Sequence, residues 1–290
     1  MSKQVIAAFY SYDAHALAVV LGTNEIASAV AVRLLRSRFS VVMSHDPFPP
    51  VIRRGMAFHD ALYGDRATVE GIEGERAETM MEIVAAIRKP NCIAVTPLHL
   101  TDLLAIRSPA VIVDARMQKH CVTPDYRGIA KLTVGLGPNF AVGVNCDIAI
   151  ETHPAKNGTI VQNGATEAAD GIARQLGGTG RERFVYSDRS GLWHTPVDIG
   201  MRVFKGFLLG NLDGAAVHAP MDGVLRGIAR DATRFPVGVK IVEIDARGRQ
   251  AGWTGTDERG RAIAEATIKA IRLRAARKKI LESATNAVVC

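Results

Sequence analysis

Short uncharged apolar runs alternate with amphipathic stretches through the first half of the chain. Ala16 to Leu21 (ALAVVL) predicts a buried strand, because a strand covered on both faces reads as continuous apolar sequence. Gly22-Thr23-Asn24 predicts a turn. Glu25 to Arg38 then places Ile26, Val30, Leu34 and Leu35 on one side, the spacing of an amphipathic helix. Phe39 to Met43 predicts a second buried strand, so that strand, tight turn, helix and strand make a βαβ unit. The pattern continues with helices at 55–63 and 78–88, a strand at 91–95, a short helix at 100–107, and strands at 110–113, 131–136 and 147–151. Such alternation predicts a Rossmann-like α/β region over 1–153, a mostly parallel sheet covered on both faces.

Residues 154–182 are rich in Gly, Ala, Thr and Asn and read as a linker or irregular segment with one strand at 158–162. From Arg183 the texture changes to short runs cut by Gly and Pro, which predicts an all-β part over 183–248. The last segment, 249–290, contains a helix. It begins at Thr256 or Asp257, either of which suits an N-cap, and runs to about Leu281 with Ile263, Ile268, Ile271 and Ala275 as its apolar stripe.

Composition narrows the class. Apolar residues make up 48% of the chain, enough for a sizeable core, which argues against disorder. No uncharged apolar run approaches the roughly 18 residues of a membrane helix. The start MSKQVIAAFYSYDAH carries Lys3 and Asp13 and lacks a cleavage site, so a secretory signal is not expected. Cys92, Cys121, Cys146 and Cys290 show no C-x2-C spacing, which argues against structural zinc. Read as small buried hydrophobes, they fit a reducing, cytoplasmic setting. The net charge is +7, yet Lys269, Arg272, Arg274, Arg277, Lys278 and Lys279 share one C-terminal stretch, and without them the rest is almost neutral. Such a helix is a solvated face or a contact for an anionic partner. No aromatic residues interleave with its charges, so nucleic acid is not expected.

Candidate chemistry lies at strand ends, where open α/β sheets bind ligands. The turn Gly22-Thr23-Asn24-Glu25-Ile26-Ala27 keeps the first glycine and the last small residue of the dinucleotide fingerprint G-x-G-x-x-G/A, with Asn24 at the middle glycine. Asn can adopt left-handed backbone angles, whereas Glu25 would repel a phosphate. Asp46, about 24 residues after Gly22, is placed to meet ribose hydroxyls. Asp114 and Arg116 follow another strand and either pair with each other or contact a ligand. The turn from Gly135 through Gly137 and Asn139 to Gly143 can present backbone N–H groups to an anion. Arg53 and Arg54 can hold a phosphate as a fork, or lie on the surface. His45, His59, His99, His120 and His153 are scattered and are expected to be structural or solvent-facing. No catalytic residue is assigned.

The later part has its own rhythm: Ile199-Gly200-x-x-Val203-x-Lys205-Gly206, a hairpin at Asp213-Gly214, Ala219-Pro220-x-Asp222-Gly223 and Val237-Gly238. It resembles the barrel-sandwich fold of biotinyl and lipoyl carrier domains. Those carriers hold their cofactor on a lysine at the hairpin tip. The tip here, Leu212 to Ala216, has none, and Lys205 lies in the preceding turn, so no covalent biotin or lipoyl is expected.

Six motifs in order are VVLGTNEIASAVAVRLLRSRFSVVM, RRGMAFHDALYGDRATVEG, VIVDARM, VGLGPNFAVGVNCDIAIET, AP-x-DGVLRG and KIVEIDARG. Together they resemble the YqeB-type selenium-dependent molybdenum hydroxylase system proteins over nearly the whole chain. Gly22-Thr23-Asn24-Glu25 stands where that family usually shows Gly-Ala-Gly-Asp, and Asp245-Ala246-Arg247 where it tends to show Asp-Pro-Arg. His45 stands where the family has an acidic residue, with Asp46 next to it. The resemblance implies an accessory or maturation protein whose partner is a molybdenum-dependent hydroxylase. It would bind an anionic molybdopterin-type cofactor or the immature enzyme, using Gly22, Asp114, Arg116 and the Gly135 to Gly143 turn. Two other readings stay open: an NAD(P)-dependent oxidoreductase, and a non-catalytic scaffold with a degenerate nucleotide site.

Overall fold

A computed structural model of the chain describes residues 15–119 and 121–288, with side chains as far as residue 276. The readings placed on residues 1–14, His120, Arg277, Lys278, Lys279 and Cys290 lie outside these residues or side chains.

β1 (Leu17–Leu21) serves two cores at once. Ala18 and Val20 face one, while Leu17, Val19 and Leu21 face the other, which is why the run carries no polar position. α1 (Glu25–Arg36) buries Ile26, Val30 and Leu34 against the first face. β2 (Ser40–Ser44) returns parallel to β1. The stretch 55–63 is not the expected helix. It holds two 3-10 turns, Arg54–Met56 and His59–Tyr63, which turn Met56, Phe58, Ala61 and Leu62 inward together. Sequence patterning misses the hairpin of β3 (Ala67–Val69) and β4 (Ile72–Arg76), because its strands are short and only alternate positions are buried. α2 (Met80–Ala86) starts in a capping box between Thr79 and Glu82. β5 (Cys92–Thr96), α3 (Leu100–Leu103), β6 (Val111–Asp114), β7 (Leu132–Leu136), β8 (Ile148–Ile150) and β9 (Ile160–Val161) complete the sheet. Its order is β3-β4-β5-β2-β1-β6-β7-β8-β9. Pairing is parallel from β4 to β8 and antiparallel at both edges, β3 and β9.

The following strands are β10 (Phe184–Tyr186), β11 (Gly191–His194), β12 (Arg202–Val203), β13 (Leu208–Leu212), β14 (Ala215–His218), β15 (Gly223–Ile228), β16 (Thr233–Phe235) and β17 (Lys240–Asp245). They form two four-stranded antiparallel sheets, β10-β17-β15-β12 and β14-β13-β11-β16. Trp193 is fully buried in their shared core, with its indole N–H satisfied by the Ala229 carbonyl at 3.2 Å. α4 (Glu258–Val288) begins after Asp257, whose carboxylate accepts from the Gly260 amide at 2.8 Å. Ile263, Ala264, Ile268, Ala270 and Ile271 of α4 join α1 over the first face of the large sheet. Ala275, assigned to the same stripe from sequence, is exposed.

The expected fold class therefore needs correction. The chain is not a Rossmann-like sheet followed by a biotinyl/lipoyl barrel-sandwich and an appended helix. It is a mixed α/β fold, with antiparallel edges on the large sheet and two separate antiparallel sheets after it. The last helix returns to the core of the first sheet. Local periodicity defines each strand but not the direction of an edge strand or the destination of a late helix. Among the described residues no helix is long and apolar enough to cross a membrane.

Candidate functional site

The strand order reverses beside β1: β2 lies on one side of it and β6 on the other. Crevices outside the carboxyl ends of strands at such a point are where open α/β sheets take ligands. The Gly22 turn sits there. Gly22 has φ +104, and a Cβ on it would lie 3.1 Å from the Ala115 carbonyl oxygen, so the close approach of the two strand ends requires glycine. Asn24 does not take the left-handed backbone allowed for it. It is extended (φ −72, ψ 178) and N-caps α1. Its side-chain oxygen accepts from the amides of Ile26 and Ala27, and its Nδ2 donates to the Ala115 carbonyl at 2.8 Å. The amide of Gly22 donates to Ser44. The amides of Gly22, Ile26 and Ala27 in this turn are thus already paired.

Asp114 and Arg116 form the pair allowed for them, through Arg116 Nε at 3.0 Å and Nη2 at 2.6 Å. Asp46 joins from the end of β2, 3.5 Å from Arg116 Nη1 and 3.0 Å from the side-chain amide of Gln118. Tyr126 closes this side, its hydroxyl 3.5 Å from Arg116 Nη2. Burial works against the Arg116 charge, yet Asp114 outweighs it and raises its pKa. Arg116 and Asp46 remain half-buried, side by side as donor and acceptor.

The Gly135–Gly143 turn is not an anion nest, which corrects that expectation. Gly135 lies inside β7, where a Cβ would collide with the Phe140 ring. The amide of Gly137 donates to Ile150, Phe140 to the Thr166 hydroxyl, Ala141 to the Asn145 side chain, Val142 to Gly164 and Gly143 to Cys146. Asn139 instead holds the neighbouring loop, donating from Nδ2 to the Lys119 carbonyl at 3.2 Å.

Arg53 and Arg54 are not a phosphate fork either, because their guanidiniums diverge into separate ion pairs. Arg53 donates to Glu25 at 2.8 Å and to both oxygens of Glu243 at 2.6 and 3.1 Å. Arg54 donates to Asp60, Asp198 and the Ile228 carbonyl. Both fasten the large sheet to the small ones. Glu243 has no solvent exposure, and Arg183 Nε reaches it at 3.1 Å and Arg226 Nε at 3.7 Å.

Two groups at this junction had no signal in the spacing of motifs. Lys240 opens β17, and burial, then Arg53, against the pull of Glu243, and then Lys119 and Arg183 push its ammonium down to about 8. Arg259, in the first turn of α4, is also lowered, burial first, and donates to the Thr152 carbonyl. A third cluster was unforeseen because its members lie far apart in sequence. The Thr23 hydroxyl is buried between His59 Nδ1 at 2.9 Å and His45 Nδ1 at 3.3 Å. Burial, then His45, Arg54 and Arg230, push His59 down to about 3. With one hydroxyl proton between two neutral rings, one ring accepts from Thr23 and the other donates to it. His59 is buried, as its structural reading expects. Among the described cysteines Cys92 and Cys146 are buried and Cys121 is exposed. Burial pushes the Cys92 thiol to about 11 and that of Cys146 to about 12. No three His, Cys, Asp or Glu among the described residues are grouped to hold a metal ion.

No family model matches the chain. Solved structures similar to it include the ectoine utilization protein EutE (DoeB) from Ruegeria pomeroyi, at 11% identity over 80% of this chain and 86% of that one, with a TM-score of 0.26. Another is an aspartoacylase family protein from Mesorhizobium loti, at 11% identity over 80% and 85%, TM-score 0.26. A curated relative, described as uncharacterized protein YqeB of Escherichia coli (strain K12), is 29% identical over 260 residues, 89% of this chain. The chain spans about half, 48%, of that relative's length. The motif resemblance to the YqeB-type proteins is borne out by this relative.

Proposed function

We propose that the chain is an accessory protein of a molybdenum hydroxylase, and that it takes the anionic pterin cofactor of that enzyme as cargo at the β1/β6 crevice. The observation that carries this reading is the half-buried Arg116–Asp46–Gln118 group at the reversal of strand order. A pterin presents donors and an acceptor along one edge, which a carboxylate and a guanidinium side by side can meet together. The motif resemblance supplies the molybdenum hydroxylase context, and the matched relative adds no activity of its own.

Closure of the α1 amides by Asn24 weighs against a nicotinamide dinucleotide held in the usual way. The test is a thermal-shift titration with molybdopterin dinucleotide, NAD(H) and NADP(H). A ligand present at 100 times its Kd stabilises the fold by about 2.7 kcal/mol. The expected result is a shift with the pterin dinucleotide that is lost in Arg116→Ala. A shift only with a nicotinamide nucleotide would move the assignment to an oxidoreductase. No shift with any of them would leave a scaffold with a degenerate site.

A further inference from the structure

Among the described residues the sheets end in β3 and β9, β10 and β12, and β14 and β16. An open strand edge is a row of backbone donors and acceptors that can pair with another chain, and proteins ordinarily blunt it with charge, proline or brevity. β3, β10 and β16 are three residues long, and β9 and β12 are two. Arg202 lies in β12 and Arg234 in β16. β14 is longer, the four residues Ala215-Ala216-Val217-His218, and contains no lysine, arginine, carboxylate or proline.

Both ends of β14 fix where its backbone groups point. Asp213 and Gly214, with φ 50 and 80, make the tight turn into it, so Leu212 and Ala215 close the hairpin as a hydrogen-bonded pair. At the other end the Ala219 amide donates to the Phe207 carbonyl, and the Ala219 carbonyl accepts from the Gly206 amide. Alternation then turns the N–H and C=O of Ala215, Val217 and Ala219 toward β13, and those of Ala216 and His218 toward the open side. Ala216 and His218 are exposed. Val217 is half-buried against the core of the small sheets.

We propose that β14 pairs antiparallel with β14 of a second copy of this chain, about a two-fold axis at Val217, joining two four-stranded sheets into one. In this register Ala216 exchanges both backbone hydrogen bonds with the partner subunit's His218, and the axis repeats the exchange. A slip of one residue would set outward groups against inward ones. Charge favours a second copy as the occupant. A two-fold axis brings like charges together, and β14 has none to bring: its one titratable side chain, His218, faces the partner subunit's Ala216. Val217 meets its own copy in a non-hydrogen-bonded pair, where side chains approach most closely, which carries the apolar core across the axis. The ladder alone is small against the roughly 1,200 Å² of a stable interface. Phe204, Phe207 and Leu208, exposed by 57%, 42% and 54%, supply further apolar surface. Leu208 is paired with His218 and Phe207 with Phe204 in the adjoining turn, so one such cluster flanks each end of the ladder.

The test is sedimentation equilibrium of the full chain, its mass read against the 31.1 kDa of one copy. The expected result is a concentration-dependent dimer. Ala216→Pro removes an outward N–H at an edge position where proline is tolerated, so it should stay folded and weaken the dimer about tenfold or more, two backbone hydrogen bonds being lost with the axis. Ala216→Lys charges the same edge and replaces the proline variant if that one does not fold. Val217→Cys tests the register, since Cα atoms about 4.5 Å apart across the axis are within disulfide reach. Mild oxidation should link it into a reductant-sensitive dimer, beyond any formed by the wild type through the exposed Cys121. Asp213→Cys, at the hairpin tip away from the axis, should link no more than wild type. A single copy at every concentration would overturn the pairing. So would a dimer that the Ala216 variants leave within about twofold of wild type, or a Val217→Cys chain that links no faster than Asp213→Cys.

Discussion

Glu243 sits fully buried in β17 with three guanidiniums around it. Burial opposes its ionisation, but Arg53, Arg226 and Arg183 outweigh that cost and hold its carboxyl below the ordinary range. A charge inside the apolar run of KIVEID was visible in the sequence, though not its partners, which come from residues 53, 183 and 226. His59 is the opposite case, a titratable group kept neutral. Its pKa of about 3 lies below the ordinary 6.5, so between those values the unfolded chain binds a proton that the folded one does not. Stability is therefore full above the ordinary value and is lost as pH falls towards 3. Between pH 6.5 and 5, above most carboxylate titrations, the slope from this group is at most about 1.4 kcal/mol per pH unit. Denaturant titrations across that window should show His59→Asn with a flatter pH dependence than wild type. An equal slope in both would mean that His59 is not held neutral.

At the scale of elements, Asn24 ties a helix to a neighbouring strand end. It caps α1 and also reaches across to the carbonyl after β6. Asn24→Ala should lower stability by about 1–2 kcal/mol, one cap and one further hydrogen bond. Urea unfolding with an unchanged midpoint would show that neither contact matters. The turn was legible as a strand-to-helix turn, and its role was not, because the same dipeptide context suits a ligand cradle and a sealed cap. The Gly135–Gly143 turn failed as a nest for a related reason. Its glycines are readable from sequence, but the acceptors of its amides, on residues 145, 146, 150, 164 and 166, are brought in by the fold. Strands with an apolar face were legible wherever they were buried on both sides, as in β1, β2, β5 and β6. The β3–β4 hairpin was not, since half of its positions face outward.

At the scale of the whole molecule, the large sheet and the small sheets meet through arginines. Arg53 and Arg54 reach from the segment after β2 to β17, Asp198 and the Ile228 carbonyl. The Ile228 amide donates to the Ile52 carbonyl at 2.8 Å. It also brings Arg259 of α4 to the Thr152 carbonyl just after β8, which no local pattern encodes. The central claim is that an anionic pterin ligand binds in the crevice beside Arg116, Asp46 and Gln118. The most direct measurement is a titration of labelled protein with molybdopterin dinucleotide, followed by backbone amide chemical shifts. The account predicts saturable shifts confined to residues 22–25, 46 and 114–119. Shifts centred elsewhere, or none at saturating ligand, would contradict it.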